Sequence, residues 1–174
     1  MNPSAMSSTL DPTGTAFRNA MRHVAATVYA VTTSHGGERY GILATSVASL
    51  SFDPPSLLAC INREASLHDP LAEAERFCVN VLGLGNRDVA ERFMQRGAAG
   101  RFDVGDWGDE HGVPVLRSAQ SSLVCTVADR HVFGTHTIFV GELIAASHRQ
   151  DAKPLTYFDR HIVDITEAPE RGGR

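Results

Sequence analysis

The sequence predicts a mainly β fold with helices, a small β-barrel carrying helical decoration. Three observations carry this reading: many short strand-like runs recur along the chain, only two or three helical patterns interrupt them, and strands and helices do not alternate regularly.

The elements follow in chain order. Residues 1–15 are rich in Ser, Thr, Pro and Gly without periodicity and read as a disordered tail; 16–165 form one domain and 166–174 a second tail. Residues 16–24 place Phe17, Ala20, Met21 and Val24 at helical spacing, with Arg18, Asn19 and Arg22 on the polar side. β-branched residues dominate 25–33, and His35-Gly36-Gly37 turns the chain into a second strand from Glu38, a hairpin. Strand patterns continue at 56–62, 77–82, 121–132 and 137–147. Helical patterns occupy 67–75 and 86–95, the latter opened by Asn86 as N-cap with Asp88 suiting the helix dipole. Between Gly97 and Gly112 the composition turns to Gly, Asp, Arg and the isolated aromatics Phe102 and Trp107, which reads as a long covering loop.

Composition narrows the function. The 174 residues suffice for one domain with its own core, and 43% hydrophobic with 21% charged residues is ordinary for a globular protein. A formal charge of -4 argues against nucleic acid, whose phosphates call for clustered Lys and Arg. Lys153 is the only lysine, so any anion site must rely on arginine, hydroxyls or main-chain N–H groups. Cys60, Cys78 and Cys125 lie apart in apolar runs, a pattern of reduced thiols used as small hydrophobes in a cytoplasm. No apolar run reaches membrane-spanning length and no signal-peptide core follows Met1, so the expectation is a soluble cytoplasmic protein without membrane contact.

Most catalytic motifs are missing. Gly83-Leu84-Gly85-Asn86 follows a strand, but Asp88 stands where a dinucleotide fingerprint needs its third glycine, and its charge repels a pyrophosphate. The eight histidines form no metal-ligand spacing, and neither a G-x-S-x-G elbow nor a Walker loop occurs. What remains is the run Gly41-Ile42-Leu43-Ala44-Thr45-Ser46-Val47-Ala48-Ser49-Leu50-Ser51, followed by Phe52-Asp53-Pro54-Pro55. Small residues and hydroxyls after a strand leave backbone N–H groups uncovered, a ledge for a flat, hydrogen-bonding ligand. Cys60-Ile61-Asn62-Arg63-Glu64-Ala65-Ser66-Leu67-His68 and the turn around Gly134-Thr135-His136 are the other two polar segments of interest.

Taken in order, these pieces resemble the short-chain flavin reductases, the NAD(P)H:flavin oxidoreductases of two-component monooxygenases. Phe17-Arg18-Asn19-Ala20-Met21 is similar to that family's opening F-R-x-A-M, the ledge with Pro54 to its flavin-binding strand, Gly134 to Glu142 to its G-D-H-x-x-F-x-G-E, and Pro154-Leu155-Thr156-Tyr157 to its closing P-L-x-[YF]. The resemblance implies an FMN-binding split β-barrel, Greek-key-like and homodimeric, with flavin partly at the subunit interface. It implies FMN or FAD as cofactor, NADH or NADPH as hydride donor, and reduced flavin diffusing to a separate oxygenase component. By position, Leu43, Ala44, Thr45, Ser46 and Val47 would line the isoalloxazine edge, with Ser49 and Leu50 beneath. Asn62, Arg63, Glu64, Ala65, Ser66 and His68 would fall near the ribityl phosphate or the start of an adenylate. Phe93 and Arg96 would close over the cofactor, His136 would be the catalytic group by the nicotinamide, and Arg160 with His161 would meet its phosphates or the flavin rim. Thr135 departs from the family's Asp, Thr45 from a frequent Asn, and Asp159 and Ile162 from its usual C-terminal residues. Two other readings stay open on the same barrel: a non-catalytic flavin-binding module, and a flavoenzyme acting directly on a small organic substrate.

Overall fold

The computed structural model describes residues 11–95, 97, 99–151 and 153–164. They form α1 (Pro12–Met21), β1 (Ala26–Thr27), β2 (Tyr29–His35), β3 (Glu38–Ala44), β4 (Val47–Phe52), β5 (Pro55–Asn62), α2 (His68–Glu73), β6 (Arg76–Val81) and α3 (Arg87–Met94). Then come β7 (Trp107–Glu110), β8 (Val113–Leu116), β9 (Ser121–Phe133), β10 (His136–His148), β11 (Leu155–Phe158) and β12 (His161–Asp164), with short 3₁₀ turns at Leu84–Asn86 and Arg101–Asp103.

Seven strands make one antiparallel sheet in the order β3-β2-β6-β9-β10-β5-β4. β3 and β4 are its two edges, yet only Thr45 and Ser46 separate them in sequence. From Ala44 to Val47 extended chain spans about 11 Å, whereas a flat sheet of this width would hold its edges roughly 29 Å apart. The sheet therefore curls until its edges meet at residues 44–47, a barrel with a seam. Cys60 N–H donates to Ser46 O at 2.9 Å and holds that seam on the β5 side.

The barrel fills with the inward face of each strand. Leu57, Ala59 and Ile61 of β5, Phe77 and Val79 of β6, and Phe139 of β10 are buried at alternate positions, as period two requires. Gly141 makes room for them: a Cβ there would stand 2.5 Å from Phe77 Cζ and 2.8 Å from Cys125 Cβ. A second apolar cluster, including Leu82, Val89, Ala90, Phe93, Leu116 and Leu155, lies under α3. A small sheet, β1-β11-β12, caps one side, joined to the barrel by Val28 N–H to Leu155 O at 2.9 Å and Leu155 N–H to Leu82 O at 2.8 Å.

Local chemistry explains where the elements depart from the sequence reading. α1 begins at Pro12 rather than at residue 16, because the Asp11 carboxylate accepts from Gly14 N–H at 2.6 Å and Pro12 occupies the first helical position. Asn86 does not cap α3 through its side chain. Its amide instead accepts from Gly83 N–H at 3.0 Å and donates to Ser118 Oγ at 3.0 Å, fastening the turn before the helix. The expected loop 97–112 folds into a 3₁₀ turn and β7, which pairs with β8. Residues 1–10 and 165–174, most of the two expected tails, lie outside the described residues. Among the described residues no helix is long and apolar enough to cross a membrane.

Candidate active site

A cavity of about 580 Å³ opens at the seam. β3 lines it with Ile42, Leu43 and Ala44, the crossing with Thr45 and Ser46, β5 with Cys60 and Asn62, and the following turn with Ala65 and Ser66. The end of α3 adds Phe93 and Met94, the 3₁₀ turn adds Arg101, the start of β10 adds His136, and Val28, Tyr157 and Ile162 close the side next to the small sheet.

The crossing is polar for a topological reason. Ala44, opposite Tyr29, is the last residue of β3 on the β2 ladder, and Val47, opposite Ala59, is the first of β4 on the β5 ladder. Between them only the Ser46 carbonyl, which accepts from Cys60 N–H of β5, bonds to a neighbouring strand. Among the described residues no protein acceptor meets the Thr45 or Ser46 N–H, and both residues are exposed. Exposed and without a protein acceptor, these two donors are available to a ligand.

Asn62 sets the neighbouring wall. Its side-chain oxygen accepts from Glu64 N–H at 2.9 Å and its carbonyl from Ala65 N–H at 3.0 Å, folding 62–66 into a tight turn that presents Ala65 and Ser66. On the adjacent strand His136 is the direct register partner of Asn62. Its Nδ1 shares a 2.9 Å hydrogen bond with Thr135 Oγ1. A hydroxyl orients the ring while adding no charge beside it, unlike the carboxylate that the resemblance leads one to expect.

Behind the cavity stands an aromatic wall. Phe93 stacks on Trp107 with ring centres 5.6 Å apart, and Phe102 meets both edge-on at 5.7 and 5.0 Å. Arg101, beside Phe102, reaches across from its turn: Nη1 donates to Gly41 O at 2.8 Å and to Ser66 Oγ at 2.9 Å. Its Nε is buried with no acceptor among the described residues. Burial, followed by the charge of Arg92, holds this guanidinium below its ordinary pKa. Burial also raises the Cys60 thiol, which keeps it protonated.

Of the residues assigned from the sequence, the structure brings Leu43, Ala44, Thr45, Ser46, Asn62, Ala65, Ser66, Phe93 and His136 around this cavity. It places others elsewhere. Val47 and Ser49 line a separate apolar groove with Ala48, Phe52, Leu57 and Leu123, because the chain has left the seam once β4 pairs with β5 from Val47 onward. Leu50 lines neither cavity and is exposed. Arg63 and Glu64 sit on the outer side of the Asn62 turn, exposed and outside the lining. His68 is a structural pin: Nε2 meets Thr137 Oγ1 at 2.8 Å, Nδ1 meets Asp69 Oδ1 at 2.8 Å, and its ring lies edge-on to Phe139. Arg160 faces α1 with Phe17, Met21 and Tyr157, and His161 bonds Asp159 O at 2.7 Å, so neither reaches the seam. Arg96 lies outside the described residues.

Sequence reasoning missed Arg101, Tyr157, Cys60, Met94, Ile42, Val28 and Ile162 as lining residues. Tyr157 stood within a motif that carried the resemblance. Nothing local marks Arg101, whose partners are 60 and 35 residues away.

Comparison with known proteins converges on one family. The flavin reductase like domain matches residues 21–166. The FMN reductase (NADH) RutF of Pseudomonas syringae pv. syringae is 42% identical over 158 residues, covering 88% of this chain and 89% of that protein. The reductase component of 4-hydroxyphenylacetate 3-monooxygenase from Pseudomonas aeruginosa is 36% identical over 161 residues, covering 88% and 92%. The fold matches the NADH:FAD oxidoreductase SgcE6 of Streptomyces globisporus C-1027, solved with NAD and FAD fragments, at a TM-score of 0.83 and 28% identity, covering 95% of this chain and 100% of that one. With its sequence, barrel and seam cavity in agreement, this chain belongs to the flavin reductase like domain family.

Proposed function

We propose that this chain is an NADH-dependent flavin reductase that takes FMN, or FAD, in the seam cavity and passes reduced flavin by diffusion to a separate oxygenase component. One observation carries the reading: a cavity with apolar walls whose unpaired polar groups lie along one strand crossing. The residues present fit a flavin. About 580 Å³ is a normal ligand-site volume, Thr45 and Ser46 offer N–H and hydroxyl donors, and the buried Arg101 Nε awaits an acceptor. Leu43, Ala44, Phe93 and Tyr157 supply the apolar surface a ring system needs.

Bound flavin supplies the group that accepts the hydride. Main-chain donors at Thr45 and Ser46 would hold the ring's polar edge and favour negative charge there with little reorganisation, since the barrel fixes them. His136, exposed on the cavity lining, would orient the nicotinamide. No proton-transfer dyad is needed, which accords with a lining that has none. The relatives named as NADH enzymes favour NADH over NADPH, and the monooxygenase reductase component favours an oxygenase partner.

The decisive experiment is anaerobic: purified protein with NADH should bleach the absorbance of FMN added in excess. No bleaching with NADH or NADPH, and with FMN or FAD, ends the enzyme reading. Turnover of excess free flavin separates a reductase from a binding module. Exposed Phe17, Phe52 and Phe133 support a homodimer of this protein, and light scattering that returns a monomer at micromolar concentration removes that part.

A further inference from the structure

The β9–β10 hairpin runs past the barrel as an arm. β6 accompanies β9 only from Val81 opposite Ser121 to Arg76 opposite Thr126, so beyond Val127 the end of β9 pairs with β10 alone. β10 stays joined to β5 as far as His136 opposite Asn62. The arm therefore stands along one rim of the seam cavity, turned at its tip by Gly134 with φ +56°.

Register places an aromatic ring beside the histidine. Phe133 is opposite His136 across the hairpin, and His136 is opposite Asn62. Directly opposed residues of antiparallel strands share a face, with Cβ atoms about 4.5–5.5 Å apart. Asn62 and His136 line the cavity, so Phe133 continues their row out of it, 82% exposed. Phe17 and Phe52, also exposed, line other depressions.

The arm suits a neutral ring rather than an anion. His131, next on the same face of β9, meets Asp129 Oδ2 through Nε2 at 2.8 Å. Arg130 between them points to the opposite face, where it is opposite Phe139 and donates from Nη2 to Ala74 O. β9 thus offers no guanidinium beside Phe133. Base stacking on an aromatic side chain needs neither charge nor hydrogen bonds.

Resting on the flavin reading above, we infer that Phe133 is the platform on which the adenine of the hydride donor stacks. A donor whose nicotinamide lies by His136 carries two riboses and a pyrophosphate before its adenine, a linker long enough to bridge from one residue of this row to the next. The test is steady-state oxidation, at saturating FMN, of NADH and of reduced nicotinamide mononucleotide, which lacks the adenosine, by wild type, Phe133→Ala and Phe133→Trp. Phe133→Ala should raise KM for NADH by about 5- to 10-fold, the low end of base–aromatic stacking because the ring is exposed. KM for the mononucleotide should stay within about twofold. Phe133→Trp should hold KM for NADH at or below the wild-type value, and kcat should change little in either variant, since the stack is made in ground and transition states alike.

KM raised equally for both donors, or for neither, overturns the inference, as does wild type that uses the two donors with the same KM. Light scattering that shows Phe133→Ala dissociating, with both donors slowed alike, assigns the ring to contact between copies and overturns it too. Wild type that oxidises neither donor in the presence of FMN or FAD defeats the underlying flavin reading instead.

Discussion

Gly41 lies where β3 passes beneath the aromatic wall, and replacing it with alanine tests the packing that shapes the site. A Cβ at this position would stand 2.9 Å from Phe93 Cε1, 3.1 Å from Thr32 Cγ2 and 3.2 Å from Phe102 Cζ. None of these neighbours yields readily. Phe93 is trapped between Phe102 and Trp107, and Thr32 is held by its hydroxyl bonding Pro114 O at 2.6 Å. Removing a strand glycine gains roughly 0.5–1 kcal/mol of backbone entropy, while overpacking a filled core costs about 1–3 kcal/mol. At mid-range values the packing cost wins, leaving a net loss of roughly 1 kcal/mol within a span of about 0–2.5, or a Tm lower by about 3 °C for a domain of this size. Gly85→Ala is the control, since nothing lies within 4 Å of a Cβ at that position. Thermal unfolding followed by circular dichroism should show Gly41→Ala falling and Gly85→Ala unchanged or slightly raised. A Gly41→Ala protein as stable as Gly85→Ala would refute the claim that the wall is rigid, and with it the account of how the cavity keeps its shape.

Three other outcomes follow from the geometry. His136→Ala should slow the NADH-dependent step, measured by stopped-flow, far more than it weakens FMN binding; equal losses in both would take His136 away from the nicotinamide. Iodoacetamide should modify Cys60 before Cys78 or Cys125, because burial pushes the Cys125 thiol up to about 12 and the Cys78 thiol higher still, and bound FMN should slow the Cys60 reaction. Peptide mapping that finds Cys60 labelled equally fast with and without FMN contradicts its place in the site. The Arg22 hydrogen bond holds the Asp159 carboxyl below its ordinary value. Its stabilising share is therefore complete above about pH 4 and disappears as pH falls through the lower folded value. Protection factors in residues 18–24, with the acid slowing of intrinsic amide exchange divided out, should fall in acid, and at neutral pH in Asp159→Asn; unchanged protection in both would show that this pair does not tether α1.

The parts of the fold legible in the sequence are those whose causes are local. The β2–β3 hairpin announces itself through Gly36 and Gly37, both at positive φ in the turn, β6, β9 and β10 through their β-branched residues, and β5 through the apolar run 57–61. β7 and β8 were hidden because Gly108, Pro114 and a cluster of acidic residues look like loop. Burial of Val113, Pro114, Val115 and Leu116 against the barrel makes them strands. The same division runs through the site. The small residues of 43–46 mark a ledge on their own, whereas Val47, Ser49 and Leu50 lie beyond it because pairing with β5 from Val47 onward carries the chain away from the cavity. His68 looks like a ligand-binding histidine beside Ser66 until Thr137, 69 residues further on, is seen to occupy its Nε2.

The seam accounts for why such a site needs so little dedicated chemistry. A chain that leaves one edge of a curled sheet and joins the other within two residues cannot bond into both ladders, so Thr45 and Ser46 keep free N–H groups whatever their side chains are. What the side chains decide is whether anything reaches those groups. Bulk at 44–46 would fill the cavity from its floor, and Ala44, Thr45 and Ser46 do not. The barrel thus fixes two donors in place at no cost in side-chain entropy, and the surrounding elements need only add an apolar wall, one cation and one histidine. A hydride transfer whose electronic demands are met by its cofactors asks for little beyond that arrangement.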